Sequence, residues 1–239
     1  MEVVVLYEDD DVLVINKPAG LVVHADRRTV EPTLVDWIVK NYPTIESVGE
    51  PIVLADGTAI ARPGIVHRLD RETSGAMVIA KNPESFLYMK RQFADRQVHK
   101  IYRAFVYGEL RDDRGIINRP IGRSANDFRQ KSAGRGAKGV MREAITWFKV
   151  LKRKDGFSFI EAQPRTGRTH QIRVHFKAVN HPVVSDSLYA AKRAPALGFS
   201  RTALHSYKIT FKGRGGKEIS ATAPYPADFE HAIKLLTSE

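Results

Sequence analysis

The chain contains no cysteine. Disulfide frameworks, thiolate nucleophiles and cysteine-based zinc sites are thereby excluded. Long apolar runs are missing too, and nothing approaches the ~20 residues that a membrane-spanning helix needs. The start carries Glu2 and Asp9-Asp10-Asp11 where a secretory signal has a basic segment and an apolar stretch, so the cytoplasm is the expected compartment. Acidic residues are in short supply. Asp and Glu number 27 against 38 Lys and Arg, which leaves a net charge of +11. That excess points to a polyanionic partner, nucleic acid or an anionic surface, without naming an activity. No serine occupies a Gly-x-Ser-x-Gly elbow. Nor does any histidine pair have metal-ligand spacing; His170 and His175, five apart, would point to different faces of a helix. No metal site is expected from that spacing.

What is present is a chain of 239 residues, 43% hydrophobic, long enough for one large domain or two small ones. It shows no internal repeat and no linker that marks a boundary, so a single domain over residues 1–239 is expected. Its densest stretch is Pro63-Gly64-Ile65-Val66-His67-Arg68-Leu69-Asp70-Arg71-Glu72-Thr73-Ser74-Gly75. Turn formers bracket a cluster of charge, and the apolar run Ala76–Ala80 that follows reads as a buried strand. A charged loop pinned to a core strand holds reactive side chains on a rigid scaffold, although a solvated surface hairpin has the same composition. Asp70 is the best reactive candidate in it. Arg68 and Arg71 would favour its ionised form; taken in isolation, it reads first as a loop or capping carboxylate.

The flanking sequence supplies the frame. Residues 3–7 and 12–15 read as paired strands about an acidic turn, and Leu21–His24 as a further extended segment. Thr33–Tyr42 has helical spacing and stops at Pro43, while residues 44–62 read as loop. Asn82-Pro83 opens a helix to about Arg96, with Phe86, Met89 or Lys90, and Phe93 inward. Ile101–Leu110 alternates as a strand. Ala144–Leu151 and Phe157–Ala162 form a hairpin about Lys154-Asp155-Gly156, and Leu204–Phe211 with Glu218–Thr222 a last one. A short terminal helix follows from about Ala227.

Two basic segments stand out. Residues 119–139 set Arg119, Arg123, Arg129, Lys131, Arg135 and Lys138 among Gly, Ser, Ala and Asn with one acid, Asp127. They read as an exposed loop, either ordered by phosphate or merely solvated. Gly134–Gly139 matches the dinucleotide glycine pattern in letters only, because no strand precedes it. Pro164–Phe176 contains a turn and a helix expected to be capped near Thr169, with Ile172, Phe176 and Val179 toward the core. Arg168, His170 and Arg173 at one helix mouth suit an anion, or the ion pairs of a surface helix.

Taken together, these segments resemble the RluA-type pseudouridine synthases. The likeness rests on Gly64–Asp70 with Thr73-Ser74-Gly75, on Val14-Ile15-Asn16-Lys17-Pro18-Ala19-Gly20-Leu21, on Lys100-Ile101-Tyr102, and on Thr166–His175 continued by His181-Pro182-Val183. Ala203-Leu204-His205 and Ala223-Pro224 fit as well, so the resemblance spans nearly the whole chain in order.

The resemblance implies an α+β fold, a long, mostly antiparallel, mixed sheet with flanking helices and a central RNA-binding cleft. It implies isomerisation of uridine in structured RNA, with large-subunit ribosomal RNA ahead of transfer RNA, by a monomer needing no cofactor. Asp70 matches the family's essential aspartate, Tyr102 the tyrosine that stacks on the base, and Arg173 the arginine that pairs with the aspartate. Arg68 matches the arginine that enters the helix stack, and His67, Arg168, His170, Arg123, Arg129 and Lys131 are expected to meet RNA. Physical reasoning agrees: a stacked uridine must be everted before its glycosidic bond is reachable, which calls for a filler, an aromatic platform and a charged floor. Covalent and eliminative routes both remain open. A non-catalytic RNA-binding factor and a uracil-releasing glycosylase are the rival functions. The chain departs from the family pattern in three places. It shows no N-terminal S4-like domain before Val3, and Ser185 and Ala190 replace glycines after the His-Pro block.

Overall fold

The computed structural model describes residues 2–25, 30–53, 56–134 and 136–238. In chain order the strands begin with β1 (Val4–Glu8) and β2 (Val12–Lys17), followed by helix α1 (Leu34–Asn41). Then come β3 (Ile52–Val53), β4 (Ala59–Ile60), β5 (Ser74–Ala80), helix α2 (Pro83–Ala94) and β6 (His99–Tyr107). Next are β7 (Arg114–Asn118), β8 (Ile121–Ser124), β9 (Lys131–Ser132), β10 (Ala137–Arg142), β11 (Ile145–Lys154) and β12 (Phe157–Pro164). Helix α3 (Gln171–Ala178), β13 (Leu204–Lys212), β14 (Glu218–Thr222) and helix α4 (Ala227–Thr237) complete the order. The α+β class read from the sequence is the class observed. The residues group into two compact units, Met1–His99 with Lys208–Ala223, and Lys100–Tyr207 with Pro224–Glu239.

In the first unit the strand order is β1-β2-β5-β13, with β14 on β13. Strand β2 pairs antiparallel with β5, Leu13 opposite Ile79 and Val14 opposite Val78. Every residue of β5 is buried, which is why its sequence is an unbroken apolar run rather than an alternation. Val14 and Val78 face a core with Met89 of α2, Phe211 and Ile219. Helix α2 begins as its sequence dictates: the Asn82 side chain accepts from Ser85 N at 2.8 Å and Pro83 takes the first turn. Helix α1 is likewise closed by a reciprocal cap between Thr33 and Asp36.

Two expectations about this unit are corrected. Leu21–His24 is not a strand. The carbonyls of Val22 and Val23 instead accept from Leu34 N and Val35 N, serving the open first turn of α1. Residues 44–62 are not wholly loop, since Ile52–Val53 and Ala59–Ile60 pair as a small hairpin.

In the second unit the order is β13-β6-β12-β11-β7. Its core gathers Phe105, Phe159, Phe176, Phe199 and Phe229. The β11–β12 hairpin turns at Asp155 (φ 50°) and Gly156 (φ 78°), the two left-handed residues a tight hairpin needs. The segment read as a basic loop is a three-stranded antiparallel sheet, β10-β8-β9. Gly and Ser content hid it, because short strands of exposed residues carry no apolar alternation.

The two departures from glycine prove different. Ser185 has φ 55°, while Ala190 lies outside the left-handed region. A non-glycine residue there costs roughly 1–2 kcal/mol. Ser185 offsets part of that, because its hydroxyl donates to Phe199 O at 3.0 Å. Ser185→Gly is therefore expected to stay within about 1 kcal/mol of the parent. Ser185→Ala, which keeps the strain and loses the bond, should lose about 1–2 kcal/mol. Urea unfolding midpoints of the two variants check the ordering.

Candidate active site

The loop that carries Asp70 is fixed from both sides. At its start Gly64 has φ 64°, and a Cβ there would lie 2.3 Å from Ala80 O, so only glycine fits. Gly64 N donates to Val48 O at 2.7 Å and Gly64 O accepts from Ala80 N at 2.9 Å. Past Asp70, the carbonyl of Arg71 accepts from Gly20 N at 2.9 Å and from Lys17 Nζ at 3.1 Å. Lys17 is fully buried and also donates to Pro18 O and Leu21 O, both at 2.8 Å. An ammonium has three donors, and carbonyls take all three here, which is how a buried charge is tolerated. Lys17 thus ties the first motif of the chain to the central one. Lys17→Met removes the ammonium donor from the Pro18 and Leu21 carbonyls, leaves the Arg71 carbonyl with Gly20 N alone, and is expected to cost at least about 2 kcal/mol. A urea midpoint unchanged from the parent would contradict that role.

Asp70 itself is half-buried and its carbonyl accepts from Thr73 N at 3.1 Å. The flanking arginines send their guanidinium groups elsewhere. Arg68 Nη1 meets His24 Nε2 at 3.1 Å, and Arg71 donates to Gly20 O and Glu31. These bonds of the two guanidinium groups thus go to partners other than the carboxylate beside them in sequence. His67 turns inward: Nε2 accepts from Val78 N at 3.0 Å and the ring stacks on Phe93 at 4.6 Å between centroids. The bond engages one ring nitrogen with strand β5.

In the second unit Tyr102 sits on β6 opposite Ala162 of β12, half-buried against the aromatic core. Lys100 lies two residues earlier, and burial pushes its ammonium down to about 8. Arg173 is buried on α3 and forms a bidentate pair with Asp186, Nε to Oδ2 at 2.6 Å and Nη2 to Oδ1 at 2.9 Å. Asp186 Oδ1 also accepts from the backbone N–H of Leu188 and Tyr189, both at 3.0 Å. Beneath Arg173 lies Tyr189, whose ring centre is 5.1 Å from the guanidinium carbon and 5.4 Å from Lys177 Nζ. The Tyr189 hydroxyl accepts from Lys131 N and bonds His170 Nδ1, each at 2.9 Å. One buried tyrosine therefore joins α3, its entry and the small sheet. Asp186 and Tyr189 escaped the sequence reading, as a lone acid and a lone tyrosine in a turn-rich stretch give no periodic signal.

Helix α3 does not start at a Thr169 cap. Its N-cap is His170, at φ 57° with no side-chain cap bond. Gln171 does the capping work from inside, its Oε1 accepting from Arg168 N at 3.1 Å and from Thr166 Oγ1 at 2.6 Å. Arg168 Nε donates to Glu143 O at 3.0 Å. His175, on the same helix, is buried between Thr146 Oγ1 and Arg119 O; burial pushes its pKa down, so the neutral ring is favoured. On the small sheet Arg123 lies opposite Lys138 on one side and Lys131 on the other. Arg129 is exposed and ion-paired with Asp127 at 2.8 Å. Among the described residues no group of three or more His, Asp and Glu is placed to hold a metal.

Residues 11–178 match the sequence profile of the RNA pseudouridylate synthases. The chain belongs to the RNA pseudouridylate synthase family. It is therefore an isomerase that converts uridine to pseudouridine in RNA. An RNA pseudouridine synthase of Synechocystis is 37% identical over 233 residues, which cover 97% of this chain and 68% of that protein. The ribosomal large subunit pseudouridine synthase D of Neisseria meningitidis serogroup B is 39% identical over 246 residues, 98% of this chain and 61% of that one. Among solved structures, human RNA pseudouridylate synthase domain containing 1 superposes with a TM-score of 0.73 at 26% identity, over 94% of this chain and 84% of that one. The fold of this synthase is thus the family fold. Among the described residues no helix is long and apolar enough to cross a membrane.

Proposed function

We propose that this synthase isomerises specific uridines of large-subunit ribosomal RNA, acting as a cytoplasmic monomer. Asp70 is the reacting carboxylate, Tyr102 the ring on which the base lies and Arg173 the cation of the centre. In the reaction the N1–C1′ bond breaks and a C5–C1′ bond forms. The proton at C5 leaves and N1 gains one, so nothing is added or lost overall. The observation that carries the reading is the fixed Asp70 loop, held by Lys17 and Gly20 on the Arg71 carbonyl and by Gly64 against β5. A catalytic group must be held to within a fraction of an ångström, and such a loop supports that.

RNA as partner also explains the row Lys138–Arg123–Lys131. Like charges directly opposite each other across strands destabilise a sheet, and a polyanion relieves the cost. Phe128, 81% exposed beside Arg129, adds a surface on which a base can stack. The name of the Neisseria relative favours ribosomal RNA over transfer RNA. Incubating the protein with each RNA, followed by chemical mapping of pseudouridine, tests the choice. Site-specific product in large-subunit RNA is expected. Product in transfer RNA alone would move the assignment, and product in neither would leave an RNA-binding factor.

A further inference from the structure

Arg62 takes no part in the reading so far, yet its setting is unusual. Its carbonyl accepts from Ile65 N at 3.1 Å, which pins its backbone to the turn that opens the Asp70 loop. The side chain is half-buried, and its Nε is buried with no hydrogen-bond partner among the described residues. Other arginines have acceptors for their guanidinium donors: Arg103 has Glu161, Arg173 has Asp186, Arg201 has Asp228, and the Nε of half-buried Arg168 has the Glu143 carbonyl. Arg62 has no carboxylate among the described residues. What stands near it is another cation: burial first, then the charge of Arg68, holds Arg62 below the usual guanidinium value. Arg68 has no acid among the described residues either, and is bonded through Nη1 to the imidazole Nε2 of His24 at 3.1 Å. For a guanidinium donor that nitrogen is an acceptor only when unprotonated, so His24 holds Arg68 without neutralising it.

Arg62 has a buried donor without an acceptor and feels the charge of Arg68, and no carboxylate among the described residues answers it. Burying a donor without an acceptor and setting like charges together both cost free energy. A phosphate at the guanidinium supplies the missing negative charge, with oxygen acceptors in the geometry arginine favours. We propose that Arg62 binds an internal phosphodiester of the substrate RNA. This rests on the RNA-isomerase reading above and adds a residue to it. Arg62 is a binding residue, and it positions the strand next to the Asp70 loop to which its own backbone is tied.

The test measures binding of a uridine-containing RNA with hydroxyl groups at both ends, so that every phosphate is internal. Affinity is followed by fluorescence anisotropy across a salt series for the parent, Arg62→Gln and Arg62→Lys. Loss of one phosphate contact is expected to reduce the slope of log affinity against log salt by about 0.7–0.9 in Arg62→Gln. Affinity at low salt should fall about tenfold. Arg62→Lys should keep the slope and lose part of the affinity, because a point charge replaces a fork. That variant also separates charge from fold, and thermal midpoints of both accompany the series. An Arg62→Gln protein with the parent's slope and affinity overturns the proposal. Pseudouridine is assayed separately on the same RNA. Product from the parent with unchanged Arg62→Gln binding sinks the phosphate site alone. Arg62-dependent binding without product sinks the isomerase reading and leaves the phosphate site standing.

Discussion

Asp70→Asn is expected to abolish pseudouridine formation, with a loss of at least about 10⁴-fold in rate, while the protein still folds and binds RNA. Asparagine keeps the shape of the side chain and its capacity to accept a hydrogen bond. It removes the negative charge, and with it both routes open to the carboxylate, attack at the sugar carbon and removal of a sugar proton. The loop around residue 70 is held by backbone bonds from Gly20, Val48 and Ala80 and by Lys17, none of which uses the Asp70 carboxylate. Unfolding midpoint and RNA affinity should accordingly match the parent within error. Measurable turnover by Asp70→Asn would move the chemistry to another residue.

The largest expected effect on stability lies at Asp186. Its side chain is fully buried, and its partner Arg173 is only 6% exposed. Asp186→Ala leaves a guanidinium buried without its carboxylate and strips two acceptor bonds from the Leu188 and Tyr189 amides. Breaking a buried pair from one side costs about 3–5 kcal/mol, which for a chain of this size lowers the thermal midpoint by roughly 10 °C. Replacing both partners together, Arg173→Met with Asp186→Leu, removes the orphaned charge as well. The double variant should lose less than the sum of the single changes. A loss under about 1 kcal/mol in Asp186→Ala would contradict the view that Asp186 orients Arg173. Because Tyr189 also receives Lys131 and His170, the damage should spread to the small sheet, readable as faster amide exchange at Lys131.

Much of this arrangement was legible in the sequence where local chemistry decides structure. Asn82-Pro83 specifies the start of α2, Asp155-Gly156 specifies a tight hairpin, and an unbroken apolar run marks β5 as buried on both faces. The Asp70 loop stood out because turn formers and charge are concentrated there beside a core strand. What was not legible depends on partners distant in sequence. Leu21–His24 has strand-like composition, but its carbonyls are taken by Lys17 and by the first turn of α1. Lys17 is an ordinary basic residue until the carbonyl of Arg71, far along the chain, arrives beside it. The small sheet of residues 121–142 opposes its own cations across strands, an arrangement local preference argues against. Asp186 and Arg62 carry no pattern at all; their roles follow only from what is buried around them.

The central claim is that a uridine in RNA is cut from its sugar and rejoined through C5 at the Asp70 centre. RNA labelled with tritium at uridine C5 tests it most directly, because the new carbon–carbon bond displaces that hydrogen. Release of tritium to water in step with pseudouridine, without free uracil and not from Asp70→Asn, is the predicted result. Free uracil in solution, or retention of the label with the parent protein and its ribosomal target, would contradict it.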